Sequence, residues 1–475
     1  MSFSDKVSSL LEQGVLVSPD LLDENLSKEK VEDIKKESSV VLDKRKSKEE
    51  ILDDLPRVKV LYSYDKKSKK RSFDDFVKFF NFRFKALERL IRQRPEMQGL
   101  ISISKVGIKE EKEQVSIIGM IKKKSITKNN NVLLILEDLS GQISVLIHKN
   151  NKEVHEIAKD LVLDEVVGVV GVLGRNIVFS NNVIFPDISL NKELKKGPTE
   201  AYAVFISDFH FGSKFFLRKE FEKFIDWING KTGSEEQKRI AKKTKYVFLC
   251  GDLVEGVGVY PGQEEDLEIP DIKDQYRELA RYLSKINHNK KLIICPGNHD
   301  AGRIAEPQPP LYNDFAEDLW KLPNAIIVSN PALVNIDSTE DFSGLDILLY
   351  HGFSLIYYAN NVESIRNAGG QKRVDLIMKF LLQRRHLAPT HESNMYIPDS
   401  EEDPLVIDKV PDIFVTGHIH RATVSQYRNV TLLNTSCWGE ITEDQEKRGL
   451  EPQPGRAFML NIQTRKVKVI NFLGQ

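Results

Sequence analysis

Five short clusters in this 475-residue chain combine the residue types that hold and use metal ions: Ser207-Asp208-Phe209-His210, Gly251-Asp252, Gly297-Asn298-His299-Asp300, Tyr350-His351-Gly352 and Gly417-His418-Ile419-His420. Five of the chain's 10 histidines fall inside them, which scattered core histidines would not do. A pair of divalent cations about 3.5 to 4 Å apart needs one bridging anion, neutral imidazoles and a few further oxygens, and such a pair clamps both the attacking and the leaving oxygen of a phosphate ester. A carboxylate bridges well. Asp-x-His in a strand-end turn can direct both side chains to one metal. The glycine before Asp252 lets backbone pass close to the ions, and Gly-His-x-His offers two imidazoles from one short loop. Each fragment alone is weak, but the five together point to a hydrolytic dimetal site rather than a coincidence of satisfied polar residues.

Each cluster ends or follows an apolar run of strand type, at 204–206, 246–249, 292–294, 346–350 and 413–416. Helical periodicity at 219–229, 274–286 and 371–385 alternates with these runs and predicts a layered α/β domain whose clusters sit at strand ends, where such sheets place their ligands. Segments 424–433 and 456–472 read as further strands completing a sheet.

Upstream, about five short β-branched runs between 100 and 188, broken by Asn129-Asn-Asn131 and Ser140-Gly141, with one helical insert near 154–161, predict a small barrel of the OB type. Its strands are aliphatic, with aromatics confined to Phe179 and Phe185, which favours a structural or protein-docking barrel over a stacking platform for single strands. Phe76, Phe79, Phe80, Phe84, Leu87, Leu90 and Ile91 make one apolar face of a helix over 73–94. Residues 7–22 read as a small helical module and 28–50 as a solvated mixed-charge linker. The cluster from Lys66 to Arg71 is either a phosphate-backbone contact or, more simply, a solvated hinge.

Four units are therefore expected: a helical module at 1–26, a charged linker at 27–72, a helix plus barrel at 73–195 and the α/β domain at 196–475. Lys plus Arg is 69 and Asp plus Glu 70, so the net charge of −1 carries no polyanion bias and any basic surface is local. No run approaches a membrane span and the N-terminus lacks signal-peptide character, so a cytoplasmic protein without membrane partners is expected. Cys250, Cys295 and Cys437 form no C-x-x-C pair, and two of them end apolar runs, as buried reduced thiols would.

The five clusters resemble the calcineurin-like metallophosphoesterase superfamily, whose pattern is D-x-H, G-D, G-N-H-D/E, H and G-H-x-H, over 201–475. The flanking text is more specific: Gly251-Asp-Leu-Val-Glu-Gly-Val-Gly-Val-Tyr-Pro-Gly262, Gly297-Asn-His-Asp-Ala-Gly-Arg303, Glu306-Pro-Gln-Pro309 and His386-Leu-Ala-Pro-Thr390 look like the small subunit of archaeal D-family DNA polymerase. That resemblance implies a multidomain chain with a helical module, an OB-type barrel and a C-terminal calcineurin-like phosphoesterase domain. It implies a proofreading 3′–5′ exonuclease that acts on single-stranded or primer-terminus DNA and pairs with a large catalytic subunit carrying the polymerisation. Carried over, Asp208, His210 and His420 hold one metal, Asn298, His351 and His418 the other, and Asp252 bridges them. The oxygen and imidazole donors suit Mn²⁺ or Fe²⁺, with Zn²⁺ or Mg²⁺ as alternatives.

His299 is then placed to protonate the leaving 3′ oxygen, with Asp300 fixing its tautomer, although Asp300 reads equally as a turn or cap residue. Glu255 stands where the family frequently has Asp. Arg303 and Arg421 read either as DNA-backbone contacts or as surface salt-bridge partners. His148, His155, His288, His386 and His391 have no motif around them and take ordinary surface or packing roles. No Gln-led sliding-clamp motif is evident, which leaves clamp binding open. Two rivals remain: a non-catalytic polymerase scaffold, which predicts eroded ligands, and a stand-alone phosphoesterase or repair nuclease, which predicts no preceding barrel.

Overall fold

The structure is a computed structural model that describes residues 56–474 apart from 68, 442–444 and 446–450; the expected module at 1–26 and the linker up to 55 lie outside the described residues. After strand β1 (Val58–Ser63) and helix α1 (Phe73–Arg92) come β2 (Gln114–Ile126), β3 (Val132–Asp138), β4 (Gly141–Ile147), α2 (Lys152–Lys159), β5 (Val166–Gly174) and β6 (Ile177–Ile184). Strands β2 to β6 close into a barrel in the order β2-β3-β4-β6-β5, with β4 and β6 as its parallel pair. Alternation along each strand turns Ile117, Ile121, Leu134, Leu136, Val145, Val167, Val169 and Val178 into its interior.

The remaining chain runs through β7 (Tyr202–Ile206), α3 (Arg218–Ile228), α4 (Glu235–Lys243), β8 (Thr244–Cys250), α5 (Ile272–Leu283), β9 (Lys291–Cys295), α6 (Asn313–Trp320), β10 (Ala325–Ile327), β11 (Ala332–Ile336) and β12 (Leu345–Leu349). It continues with α7 (Leu355–Asn361), α8 (Glu363–Asn367), α9 (Val374–Arg384), β13 (Ile413–Thr416), β14 (Thr423–Tyr427), β15 (Val430–Asn434), β16 (Arg456–Asn461) and β17 (Val467–Asn471). These strands make two six-stranded sheets, ordered β10-β9-β8-β7-β16-β17 and β1-β11-β12-β13-β15-β14.

The final segments therefore do not complete a single sheet: β14 and β15 join one sheet and β16 and β17 the other. The sheets bury a shared inner layer in which Phe205, Phe248 and Ile293 meet Val334, Ile347 and Val415. Phe221, Phe224, Tyr276 and Leu279 of α3 and α5 cover the outer face of one sheet, and Tyr358, Ile377 and Leu381 of α7 and α9 cover the other. Strands covered on both faces have no solvent side to alternate toward, which is why they read as unbroken apolar runs.

The stretch 27–72, expected as a charged linker, ends differently. Val58-Lys-Val-Leu-Tyr62 becomes β1 and pairs antiparallel with β11, Val58 opposite Ile336. Lys66 then reaches Asp399 at 3.0 Å and Glu401 at 3.1 Å, so its ammonium is committed to carboxylates rather than offered to phosphate.

Helix α1 starts where the Ser72 N–H donates to the Asp75 carboxylate at 2.8 Å, and its acidic first turn and basic last turn complement the helix dipole. One end packs on the two-sheet region, with Phe79 stacked on Tyr396 and Arg83 paired to Asp403 at 2.6 Å. The other end packs Leu87 and Ile91 against Ile118, Val166 and Ile184 of the barrel. Phe76, expected on the apolar face, stays 40% exposed. Glu165 of the barrel meets Arg384 of α9 at 2.9 Å, both buried, so polar clasps as well as apolar contacts join the barrel to the sheets.

Candidate metal centre

All five clusters stand at the carboxyl ends of parallel strands. Asp208 and His210 follow β7, Asp252 follows β8 and Asn298 follows β9, all in one sheet, while His351 follows β12 and His418 and His420 follow β13 in the other. The centre thus forms where the ends of the two facing sheets meet. Asp208, His210, Asp252, His418 and His420 all have left-handed backbone, with φ between 47° and 67°, which costs roughly 1–3 kcal/mol per residue and persists only where the surroundings hold it. Close approach also explains two glycines. A Cβ on Gly251, at φ +83°, would fall 2.3 Å from His351 Nδ1, and one on Gly417 would fall 2.5 Å from Asp208 Oδ2.

The seven side chains predicted as ligands form one connected cluster. His420 Nε2 lies 3.3 Å from Asp208 Oδ1 and 3.3 Å from His210 Nε2. His210 Nε2 lies 3.9 Å from Asp252 Oδ2, which in turn is 3.2 Å from His351 Nε2. Asn298 Oδ1 is 3.1 Å from His351 Nε2, and the His418 ring stands 5.2 Å from that of His351. Asp208–His210–His420 and Asp252–His351–His418 each bring their donor atoms within 4.8 Å of one another.

The ring orientations suit a cation site. His351 Nδ1 donates to the Cys250 carbonyl at 3.0 Å, which turns its Nε2 toward Asp252 and Asn298, while His210 Nδ1 lies 3.0 Å from Glu255 Oε2 without hydrogen-bond geometry and its Nε2 faces His420. His418 Nε2 is buried and has no hydrogen-bond partner. Lone pairs converging at these distances repel unless positive charge stands among them, so the donor set fits a pair of divalent cations. Without metal, protons take that role. Burial opposes charge on His351, yet the Asp252 carboxylate outweighs it and holds the imidazole up at about 10. Burial, reinforced by the charge on His351, pushes His418 down to about 3.

Glu255 is the residue that sequence reasoning undervalued. Its side chain orients His210, its carbonyl accepts from His299 Nδ1 at 2.8 Å, and Tyr260 and Gln263 hold its Oε1 at 3.1 and 3.2 Å. Its spacing, three residues beyond Asp252, was the available signal. Of its two readings, Asp300 takes that of the turn residue, since His299 Nδ1 is held by the Glu255 carbonyl. Its carboxylate accepts from Gly297 N at 2.7 Å, Leu253 N at 3.2 Å and the Tyr276 hydroxyl at 3.0 Å, which makes it the brace of its own loop. Burial opposes charge on the His420 ring, yet Cys437, assigned no role from sequence, and Asp208 outweigh it and raise its pKa. Arg421 pairs with Glu451 at 3.1 Å, and Arg303 donates to the Pro307 carbonyl and lies over the Tyr64 ring. Each guanidinium thus has a partner within the protein. His386, left to packing, is buried 2.8 Å from Asp403.

The two-sheet fold and this centre define a class before they define a family: residues 203–425 match the B-subunit family of DNA polymerases alpha and epsilon. The chain is 39% identical over 387 residues to the DNA polymerase II small subunit of Methanothermobacter thermautotrophicus, covering 82% of this chain and 77% of that one. Against the small subunit of Archaeoglobus fulgidus it is 35% identical over 452 residues, covering 95% and 88%. The match to that of Pyrococcus furiosus, at 38%, covers 84% of this chain and 64% of the relative. The chain belongs to the family of archaeal DNA polymerase II small subunits. Among the described residues, no helix is long and apolar enough to cross a membrane.

Proposed function

We propose that this chain is the proofreading 3′–5′ exonuclease subunit of an archaeal D-family replicative polymerase, paired with a large catalytic subunit that carries polymerisation. In this reading the two-sheet region is a calcineurin-like nuclease domain and the barrel an OB-type module that supports it. The observation carrying the proposal is the convergence of the Asp208–His210–His420 and Asp252–His351–His418 donor atoms, each set within 4.8 Å, around a buried His418 Nε2 that has no hydrogen-bond partner.

Asp208, His210 and His420 would hold one cation, Asn298, His351 and His418 the other, and Asp252 lies between the two sets. Two divalent cations, if bound there, would supply charge to lower the pKa of water and offset the negative charge developing on an attacked phosphodiester. The donors, nitrogen and oxygen, suit Mn²⁺ or Fe²⁺. His299 has Nδ1 committed to the Glu255 carbonyl, so Nε2 is the atom it offers, and there it protonates the leaving 3′ oxygen. Asp252, His210 and Glu255 fix the ring's surroundings, with His210 packed edge-on against it at 4.6 Å.

Digestion of end-labelled single-stranded and mismatched-primer DNA with Mn²⁺, beside Asp252→Asn and His299→Ala, tests the reading. Nucleotides are lost from the 3′ end by the wild type and by neither variant. An inert wild type, with metal bound and the large subunit present, would establish the scaffold alternative instead.

A further inference from the structure

Glu306 is 1% exposed and belongs to the Glu306-Pro-Gln-Pro309 stretch, which the centre itself does not use. Its Oε2 accepts from the Tyr350 hydroxyl at 2.9 Å and from the Asn394 amide, and its Oε1 lies 3.4 Å from Asn330 Nδ2. Asn330 is tied to Gln308 three times: by backbone bonds of 2.7 and 2.9 Å and by its Nδ2 to Gln308 Oε1 at 2.8 Å.

The far ends of this network are the backbone of the metal centre. Asn330 Oδ1 accepts from the His351 N–H at 2.9 Å, and Gln308 Nε2 donates at 3.0 Å to the carbonyl of Gly297, the residue before Asn298. His351 and Asn298 follow strands of opposite sheets, which share no hydrogen-bond ladder that could set their spacing. The Asn330–Gln308 pair crosses that gap. Two acceptors, Glu306 Oε1 and Gln308 Oε1, face Asn330 Nδ2, which leaves Oδ1 no orientation except toward His351. A carboxyl buried this deeply is costly to ionise, and burial pushes Glu306 up to about 7 against the opposing bonds from Tyr350 and Asn394.

We propose that Glu306, acting through Asn330 and Gln308, is the positioning residue that sets His351 against Asn298 and thereby the affinity of the Asn298–His351–His418 half of the centre for its cation. The inference rests on the dimetal reading above and assigns Glu306 no contact with substrate.

Calorimetric titration of Mn²⁺ into the metal-stripped full chain, with circular dichroism melts beside it, tests this. The wild type binds at two sites. In Glu306→Ala one site keeps its affinity within about twofold while the other weakens about tenfold or more, the range expected for outer-shell partners of metal ligands. Glu306→Gln, which keeps the side-chain length and an acceptor oxygen, returns the weak site to within about threefold of wild type. A general loosening of structure would weaken both sites and would not be rescued, and that pattern overturns the proposal, as does a folded Glu306→Ala with both affinities unchanged. Should Glu306→Ala lose the native spectrum, Asn394→Ala, which leaves the carboxylate in place, replaces it: selective weakening of about threefold supports the role and no change overturns it. A wild type that binds fewer than two Mn²⁺ refutes the dimetal reading itself and takes this inference with it.

Discussion

Glu255 offers the sharpest test of how the centre is held together. Removing its carboxylate as Glu255→Ala takes away the 3.0 Å partner of His210 Nδ1 and leaves the carbonyl bond to His299 in place, because that bond belongs to the backbone. Hydrogen bonds to charged groups contribute about 1.5–3 kcal/mol, and at 1.4 kcal/mol per factor of ten that is roughly 10- to 100-fold in metal affinity, the range also seen when partners of metal-bound histidines are lost. Glu255→Gln keeps an acceptor for His210 but turns an amide toward Gln263 Nε2, itself a donor 3.2 Å from Glu255 Oε1, and so loses about tenfold. The assay is Mn²⁺ affinity by calorimetry together with kcat/KM on a labelled oligonucleotide. The expected signature is weaker metal binding, with kcat at saturating Mn²⁺ largely recovered. Glu255→Ala within twofold of wild type in Mn²⁺ affinity would refute the claim that this carboxylate orients His210.

Three further expectations follow from the same contacts. Arg83→Met strips the guanidinium from a pair buried on both sides, and although Asp403 keeps His386 and Leu405 N, urea unfolding registers a loss of about 3 kcal/mol, with a change under 1 counting against the clasp. In acid the same group fails: burial and Arg83 hold His386 below its ordinary pKa, so its contribution is complete above about 6.5 and declines as pH falls below that, while Asp403, kept ionised by Arg83 and His386 despite burial, adds a second loss below about pH 4. Melting curves between pH 8 and 4 show a falling midpoint that is steeper for wild type than for an Asp403→Asn, His386→Gln double variant. Finally, Mn²⁺ at 100 times its dissociation constant stabilises the fold by about 2.7 kcal/mol, seen as a higher melting midpoint that EDTA reverses, and no shift means no binding to the native centre.

What the sequence disclosed divides along contact range. The ligand clusters were legible because each is a few residues long and sits beside its own strand, so Asp208-x-His210 and His418-x-His420 announce themselves without reference to the rest of the chain. The barrel was legible for the same reason, its hairpins being built from neighbours. What escaped notice lies far apart in sequence. Val58–Ser63 sits among lysines, and only its partner β11, some 270 residues on, makes it a strand. The division into two sheets depends on which strand β16 pairs with, and that is β7, about 250 residues earlier. Asp300 stayed between two readings because adjacency to His299 suggested a contact, whereas its carboxylate closes its own turn and meets Tyr276.

The two central carboxylates do more than wait for cations. Asp208 accepts from the His418 N–H at 3.0 Å and Asp252 accepts from the His299 N–H at 2.9 Å, so each also staples a loop that carries the next ligand. This double use divides the oxygens at Asp252, where Oδ2 faces His210 and His351 and Oδ1 takes the amide, and shares one at Asp208, where Oδ1 faces His420 and also accepts from the His418 N–H. It further decides which substitution can separate chemistry from architecture. Asn at 252 keeps an oxygen for the His299 N–H but replaces Oδ2, which faces His210 and His351, with a neutral amide nitrogen, whereas Ala removes both groups. Both variants lose cleavage through the missing carboxylate at the cation site, and the further fall in melting midpoint in EDTA from Asp252→Asn to Asp252→Ala measures the staple.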